Sequence, residues 1–229
     1  MPPRGPYRVS HVFLDVDGTL VDFLASLRAG LEAASTLMSE RARALITPRH
    51  IEMERDRIVQ AGGLGLRLAE MRSEAIRRVL IAHGVTDPAV PEEVTRHFFA
   101  ARNAALQPYE DVLEPLEELR RRGFVTVAAT NGNASLMETP VFAHLDVTFS
   151  AEEAGVSKPD VRFFHAAMAK VGGRPETSVM VGDRIDNDVA PAVAAGMAGI
   201  LLDRAGNVSD SGVHAIKSLR ELPGLLERV

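Results

Sequence analysis

The chain has 229 residues, 46% of them hydrophobic and 25% charged, with a formal net charge of −5. That length suits one large domain or a core carrying an inserted second unit, and the acidic balance argues against a nucleic-acid footprint, which would need a basic face. Cysteine is absent, which excludes disulfides and thiolate metal sites, and no run approaches the roughly 18 uninterrupted apolar residues of a membrane span. The opening MPPRGPYRVS lacks the apolar stretch of a secretory signal. The expectation is a cytoplasmic protein, monomer or homodimer, with neither membrane nor nucleic acid as partner.

The apolar run at 12–14 reads as a buried strand, with Asp15 and Asp17 crowding its exit and Asp22 a little further on. From 23 to 105 no strand-like run occurs. Leu24, Leu27 and Leu31 make one helical stripe, and Leu68, Met71, Ala75 and Val79 make another that ends at Gly84. Pro91 is placed to open a third helix, with Val94, Phe98 and Ala101 on its inner face. Val112, Leu116 and Leu119 then predict a helix that stops at Gly123, followed by a strand at 124–129 and another at 147–149. Phe163, Ala167 and Val171 predict a helix stopped by Gly172, before a strand at 179–181. Ala190, Val193 and Ala194 predict the last helix, before Gly196 and a strand at 200–202.

Strands that are continuously apolar are buried on both faces, as in a parallel sheet. Strands alternating with helices make right-handed crossovers. The predicted fold is therefore α/β: a doubly wound, Rossmann-like parallel sheet with a helical bundle inserted after the first strand. Residues 1–22 and 106–229 form the core, and 23–105 form a helical cap. The insert carries a net charge of +2 and the remainder −7, which suits an anionic substrate beneath a slightly basic lid. Only Lys158, Lys170 and Lys217 among the 26 basic residues are lysine, a bias that hints at one kept where chemistry needs a compact ammonium, with the other two expected as incidental surface residues.

In an open parallel sheet, ligands bind beyond the carboxyl ends of the strands. Asp15 and Asp17 leave the first strand there, Thr130 and Asn131 leave the second, Lys158 follows the third, and Asp183 and Asp188 follow the fourth. Any one of them alone is as well explained as a helix cap or a turn residue. Four segments delivering acid, hydroxyl, ammonium and acid to one edge are not.

The stretches DVDGT (15–19), TNG (130–132), KPD (158–160) and GDRIDND (182–188) resemble the four ordered motifs of the haloacid dehalogenase superfamily, over a core of about 145 residues. The helical insert is similar to the cap of the subfamily whose cap follows the first motif. The resemblance implies a phosphatase acting on a small phosphorylated metabolite. In it Asp15 is the nucleophile, forming an aspartyl-phosphate, and Asp17 the general acid and base. Thr130, Asn131 and Gly18 hold or make room for the phosphoryl group, and Lys158 neutralises charge. A Mg2+ ion is held by Asp15, the backbone carbonyl of Asp17, and Asp183, with Asp188 orienting Lys158 or a bound water. Two other outcomes share this core: a phosphomutase, and a 2-haloacid dehalogenase. The dehalogenase is disfavoured by Asp17, since a halide leaves without a proton.

One departure from the pattern is Arg184, which follows Asp183 where relatives often carry Ser or Thr; pairing with Asp186 is the favoured reading. Arg67 and Arg72 are the insert arginines placed to select substrate, although solvated helix faces explain most arginines of this kind. His11, His83, His97 and His165 lie in predicted elements, where a structural role is expected.

Overall fold

In the computed structural model the described residues are 6–62, 68–132, 139–207 and 212–229. The chain divides into two compact units, Met1–Asp22 with Gln107–Val229, and Phe23–Leu106.

The first unit is an α/β core. Its strands are β1 (Tyr7–Val9), β2 (His11–Leu14), β3 (Val125–Thr130), β4 (Val147–Ser150), β5 (Ser178–Gly182), β6 (Ala198–Leu202), β7 (His214–Ile216) and β8 (Leu226–Arg228). Six of them make one sheet in the order β4-β3-β2-β5-β6-β7, every pairing parallel. β1 pairs with β8 in a separate two-stranded sheet. The chain winds outward from β2 in one direction as far as β4, then returns beside β2 with β5 and winds the other way. The point of reversal is where such sheets open a crevice at their carboxyl edge.

Phe13, Phe163, Phe164, Met168 and Met180 pack one side of the sheet at 0–2% exposure, each contributing about 1.5–3 kcal/mol by leaving water. The helix expected from Ala190, Val193 and Ala194 exists as Ala190–Ala194, but in the opposite phase: Pro191 and Ala192 face inward, and Val193 is 52% exposed. A π-helical turn at Ile185–Val189 runs directly into it and shifts the helical phase. With alanine on several sides, the sequence offers little contrast to show the shift.

The second unit is helical: α1 (Phe23–Ala42), α2 (Pro48–Gln60), α3 (Leu68–Ala82) and α4 (Ala89–Ala104). Its core joins Leu31, Met38, Ile51, Ile58, Ile76, Leu80, Val94 and Phe98. Leu24 is 70% exposed, so the stripe expected through Leu24 is only partly the buried one. The inner face of α1 is instead Ser26, Gly30, Leu31, Ala34, Ser35 and Met38. Gly30 shows why small residues line it, because a methyl group there would stand 2.9 Å from Phe98 O on α4. α4 begins at Ala89, two residues before Pro91. Proline fits within a first turn whose N–H groups have no helical acceptors. α2 was not expected; it starts at Pro48 after Thr47, whose N–H donates to His50 Nδ1 at 3.0 Å. Among the described residues no helix is long and apolar enough to cross a membrane.

Candidate active site

The carboxyl ends of β3, β2 and β5 lie side by side, and each delivers a polar group. β2 ends at Leu14, and the Asp15 N–H still donates to Val181 O on β5 at 2.9 Å, so Asp15 is held as an extension of the sheet. The turn then reverses tightly, with Leu20 and Val21 N–H both donating to Val16 O. Gly18 lies in this turn at φ +91°, and a methyl group there would meet Asp183 Oδ2 at 2.5 Å. Only glycine combines that backbone with that proximity.

Lys158 is 2% exposed, and its Nζ donates to Asp15 Oδ1 at 2.6 Å and to Asp188 Oδ1 at 2.7 Å. Its place is fixed by a neighbour rather than by its own loop. The Asn131 side-chain amide donates to Lys158 O at 2.9 Å, while Lys158 N–H donates to Asn131 Oδ1 at 2.8 Å. Asp188 is fully buried beside β5 and accepts from Arg184 N–H at 3.2 Å. The backbone at Gly182 makes room for it, since a Cβ on Gly182 would come within 2.5 Å of Asp188 Cβ. Thr130 is buried at the end of β3, with its Oγ1 accepting from Gly132 N–H at 2.9 Å.

Carboxylate oxygens of Asp15, Asp183 and Asp188 lie within 4.8 Å of one another, a donor set able to hold a metal ion. The electrostatics agree. Burial, together with the negative charges of Asp188 and Asp183, pushes the Asp15 carboxyl up to about 7 against the pull of Lys158. Asp183 is raised as well, by burial and then by Asp188. Burial opposes the Lys158 ammonium, yet Asp15 and Asp188 hold it above the ordinary lysine range. One buried ammonium among three carboxylates leaves negative charge that hard oxygen donors share with a divalent cation.

The remaining expected residues fall elsewhere. Asp17 lies in the turn two residues beyond Asp15, bridged to Val21; its carboxylate is not part of the three-acid cluster. Arg184 pairs with Asp186 on the surface, Nη2 to Oδ2 at 2.7 Å. Arg67 lies outside the described residues. Arg72 is buried inside the helical unit, bonded to Glu52, with its guanidinium 5.3 Å from the centre of the Phe98 ring. Arg72, expected to select substrate, is thus engaged in packing between helices. A groove of about 510 Å³ on the helical unit, lined by Glu70, Glu74, Arg77 and Glu92, contains none of the motif residues.

Sequence reasoning passed over Arg204 and Asp111, which form one cluster with Tyr109 beside the motif-one turn. Arg204 follows β6 at the same sheet edge as the other groups, and that position was the available signal.

The family model for haloacid dehalogenase-like hydrolases matches residues 9–196. The chain belongs to that family. Within it, this hydrolase is 26% identical to the glyceraldehyde 3-phosphate phosphatase of Methanothermobacter thermautotrophicus over 84% of each chain. It is 30% identical to the phosphoglycolate phosphatase of Agrobacterium fabrum, covering 79% of this chain and 75% of that one. Among solved structures, the 2-haloacid dehalogenase of Pseudomonas syringae pv. Tomato DC3000 superposes with a TM-score of 0.80 over 95% of this chain and 97% of its own, at 24% identity. That likeness concerns the fold of the haloacid dehalogenase-like hydrolases and not the reaction.

Proposed function

We propose that the protein is a Mg2+-dependent phosphatase that hydrolyses a small phosphorylated metabolite through an aspartyl-phosphate on Asp15. The observation carrying this reading is the Asp15 carboxylate, bonded to a buried Lys158 and clustered with Asp183 and Asp188 where three neighbouring strands end. Its similarity to glyceraldehyde 3-phosphate and phosphoglycolate phosphatases supports the same reaction class.

In the first half-reaction an Asp15 oxygen forms a bond to phosphorus while the bond from phosphorus to the substrate oxygen breaks. Asp17 gives its proton to that departing oxygen. In the second half, water attacks phosphorus, Asp17 takes the water's proton, and the bond from phosphorus to Asp15 breaks, releasing inorganic phosphate. This proton traffic is worth about 10²–10⁴-fold. Lys158 offsets negative charge on Asp15 and on the transferring group, and the Thr130 hydroxyl and Asn131 N–H hold the phosphoryl oxygens. Asp15, Asp183 and the Asp17 carbonyl would hold the cation, with Asp188 keeping Lys158 in place. When bound, the cation lowers the repulsion between a carboxylate and a phosphate dianion. The helical unit, Phe23–Leu106, is the natural seat of substrate selection.

Release of inorganic phosphate from a metabolite panel that includes glyceraldehyde 3-phosphate and phosphoglycolate tests the reading. Turnover should stop in EDTA and return with Mg2+. Isomerised product without free phosphate would indicate a mutase, and halide release from a 2-haloacid that persists in chelator would indicate a dehalogenase.

A further inference from the structure

Arg204 lies outside all four motifs, yet its side chain is bonded directly to the first of them. Nη1 donates to Gly18 O at 2.9 Å, and Nη2 donates to Thr19 O at 2.9 Å. Nη2 also donates to Asp111 Oδ1 at 2.7 Å, and the guanidinium carbon lies 4.0 Å from the centre of the Tyr109 ring. Asp111 is itself anchored, its Oδ2 accepting from Ser218 Oγ at 3.0 Å and from Leu219 N–H at 2.9 Å. Tyr109 is tied to the same turn through its own N–H, which donates to Leu20 O at 3.2 Å.

The two carbonyls that Arg204 grips belong to the residues immediately after Asp17. Gly18 N–H closes the turn on Val21 O at 3.0 Å, and the Gly18 backbone packs against Asp183. The turn is thus held through its carbonyls by Arg204 while it lies against a member of the acid cluster. A planar guanidinium can span two carbonyls and a carboxylate while its face lies on an aromatic ring, whereas a lysine ammonium offers one compact centre.

We infer that Arg204 is a positioning residue for Asp17, holding the motif-one turn so that the Asp17 carboxyl reaches the departing oxygen. The inference rests on the phosphatase reading above. In the step concerned, Asp15 gains a bond to phosphorus, the leaving group loses one, and the Asp17 proton passes to the leaving oxygen. A weakly basic leaving group departs without that proton, and a strongly basic one needs it. Loosening the turn should therefore penalise basic leaving groups selectively.

The test compares kcat/KM for 4-nitrophenyl phosphate and for phenyl phosphate, whose leaving group is far more basic, in the unsubstituted protein and in Arg204→Ala, Arg204→Lys and Asp17→Asn. The ratio of the two values within one preparation does not depend on how much of the protein is folded. Arg204→Ala should lose about 10²-fold on phenyl phosphate, the scale of a small misplacement of a reacting group, and at least about tenfold less on 4-nitrophenyl phosphate. Arg204→Lys should shift the ratio in the same direction by less. Equal losses on both esters in Arg204→Ala, while Asp17→Asn discriminates, would overturn the role of Arg204 alone. An Asp17→Asn variant that does not discriminate would overturn the general-acid role of Asp17 and this inference with it, and an unsubstituted protein that releases phosphate from neither ester nor the metabolite panel would overturn the phosphatase reading itself.

Discussion

Replacing Lys158 by methionine keeps an unbranched apolar stem and removes the ammonium at its end. The side chain is fully buried, and its ammonium bonds Asp15 at 2.6 Å and Asp188 at 2.7 Å. Removing one partner from a buried ion pair costs about 3–5 kcal/mol, because a charge is left uncompensated. Here two carboxylates lose the same partner, so the upper part of that range applies. For a unit of this size each kcal/mol lowers Tm by about 2–4 °C, giving a fall of about 8–20 °C. Thermal unfolding followed by circular dichroism in EDTA reads the change directly. Adding Asp188→Asn to the variant removes one stranded charge and should return part of the loss, with a coupling of about 0.5–3 kcal/mol. The pH dependence has a definite sign. A lysine whose folded pKa is raised contributes fully below its unfolded value of 10.5 and loses that contribution as pH rises through the higher folded value. Phosphate release should fall by about 10²–10³-fold in the same variant. A Tm within about 3 °C of the parent, with no rescue by Asp188→Asn, would refute the account of a shared buried ammonium.

Asp15→Asn should abolish phosphate release with little change in Tm; residual hydrolysis above background would remove the nucleophile assignment. Gly182→Ala should cost about 1–3 kcal/mol by overpacking, because the new Cβ meets Asp188 Cβ at 2.5 Å, a group too close to its own backbone to swing away; urea unfolding measures it. Asp111→Asn should lower stability at neutral pH by a margin that vanishes in acid. Burial alone would raise the Asp111 pKa, but Arg204, the Leu219 N–H and the Ser218 hydroxyl bring it below the ordinary value of 3.8. The stability from a depressed carboxyl is present above the unfolded pKa and disappears as pH falls through the folded one. A parent-to-variant gap in Tm that stays constant through the acid range would contradict this.

The sheet was legible because its central strands are unbroken apolar runs that cannot be mistaken for surface. Val12–Leu14 lies within β2, and the runs at 179–181 and 200–202 lie within β5 and β6. β1, β7 and β8 went unread, since three residues each are too few to show a pattern. α2 went unread for a different reason. Only Ile51 and Ile58 are buried along its 13 residues, so its apolar stripe is too thin to stand out. The acids and the lysine at the strand exits could be placed from chain order alone, because a parallel sheet sends every carboxyl end to one edge. What Asn131 does with its side chain could not. Its bonds to the Lys158 backbone span 27 residues of sequence and follow from which strands become neighbours. Arg72 shows the opposite limit. A single arginine on an amphipathic helix looks like a surface charge until Glu52 and Phe98 on other helices are known to enclose it.

The amide of Asp15 donates to Val181 O between the two middle strands of the six. No fraying of a loop or terminus exposes that proton; β2 and β5 must come apart. Its exchange with deuterated solvent should therefore proceed at the rate set by global opening, among the slowest in the core. The residue proposed as the nucleophile would then also report, through its backbone, the free energy of unfolding of the domain that carries it.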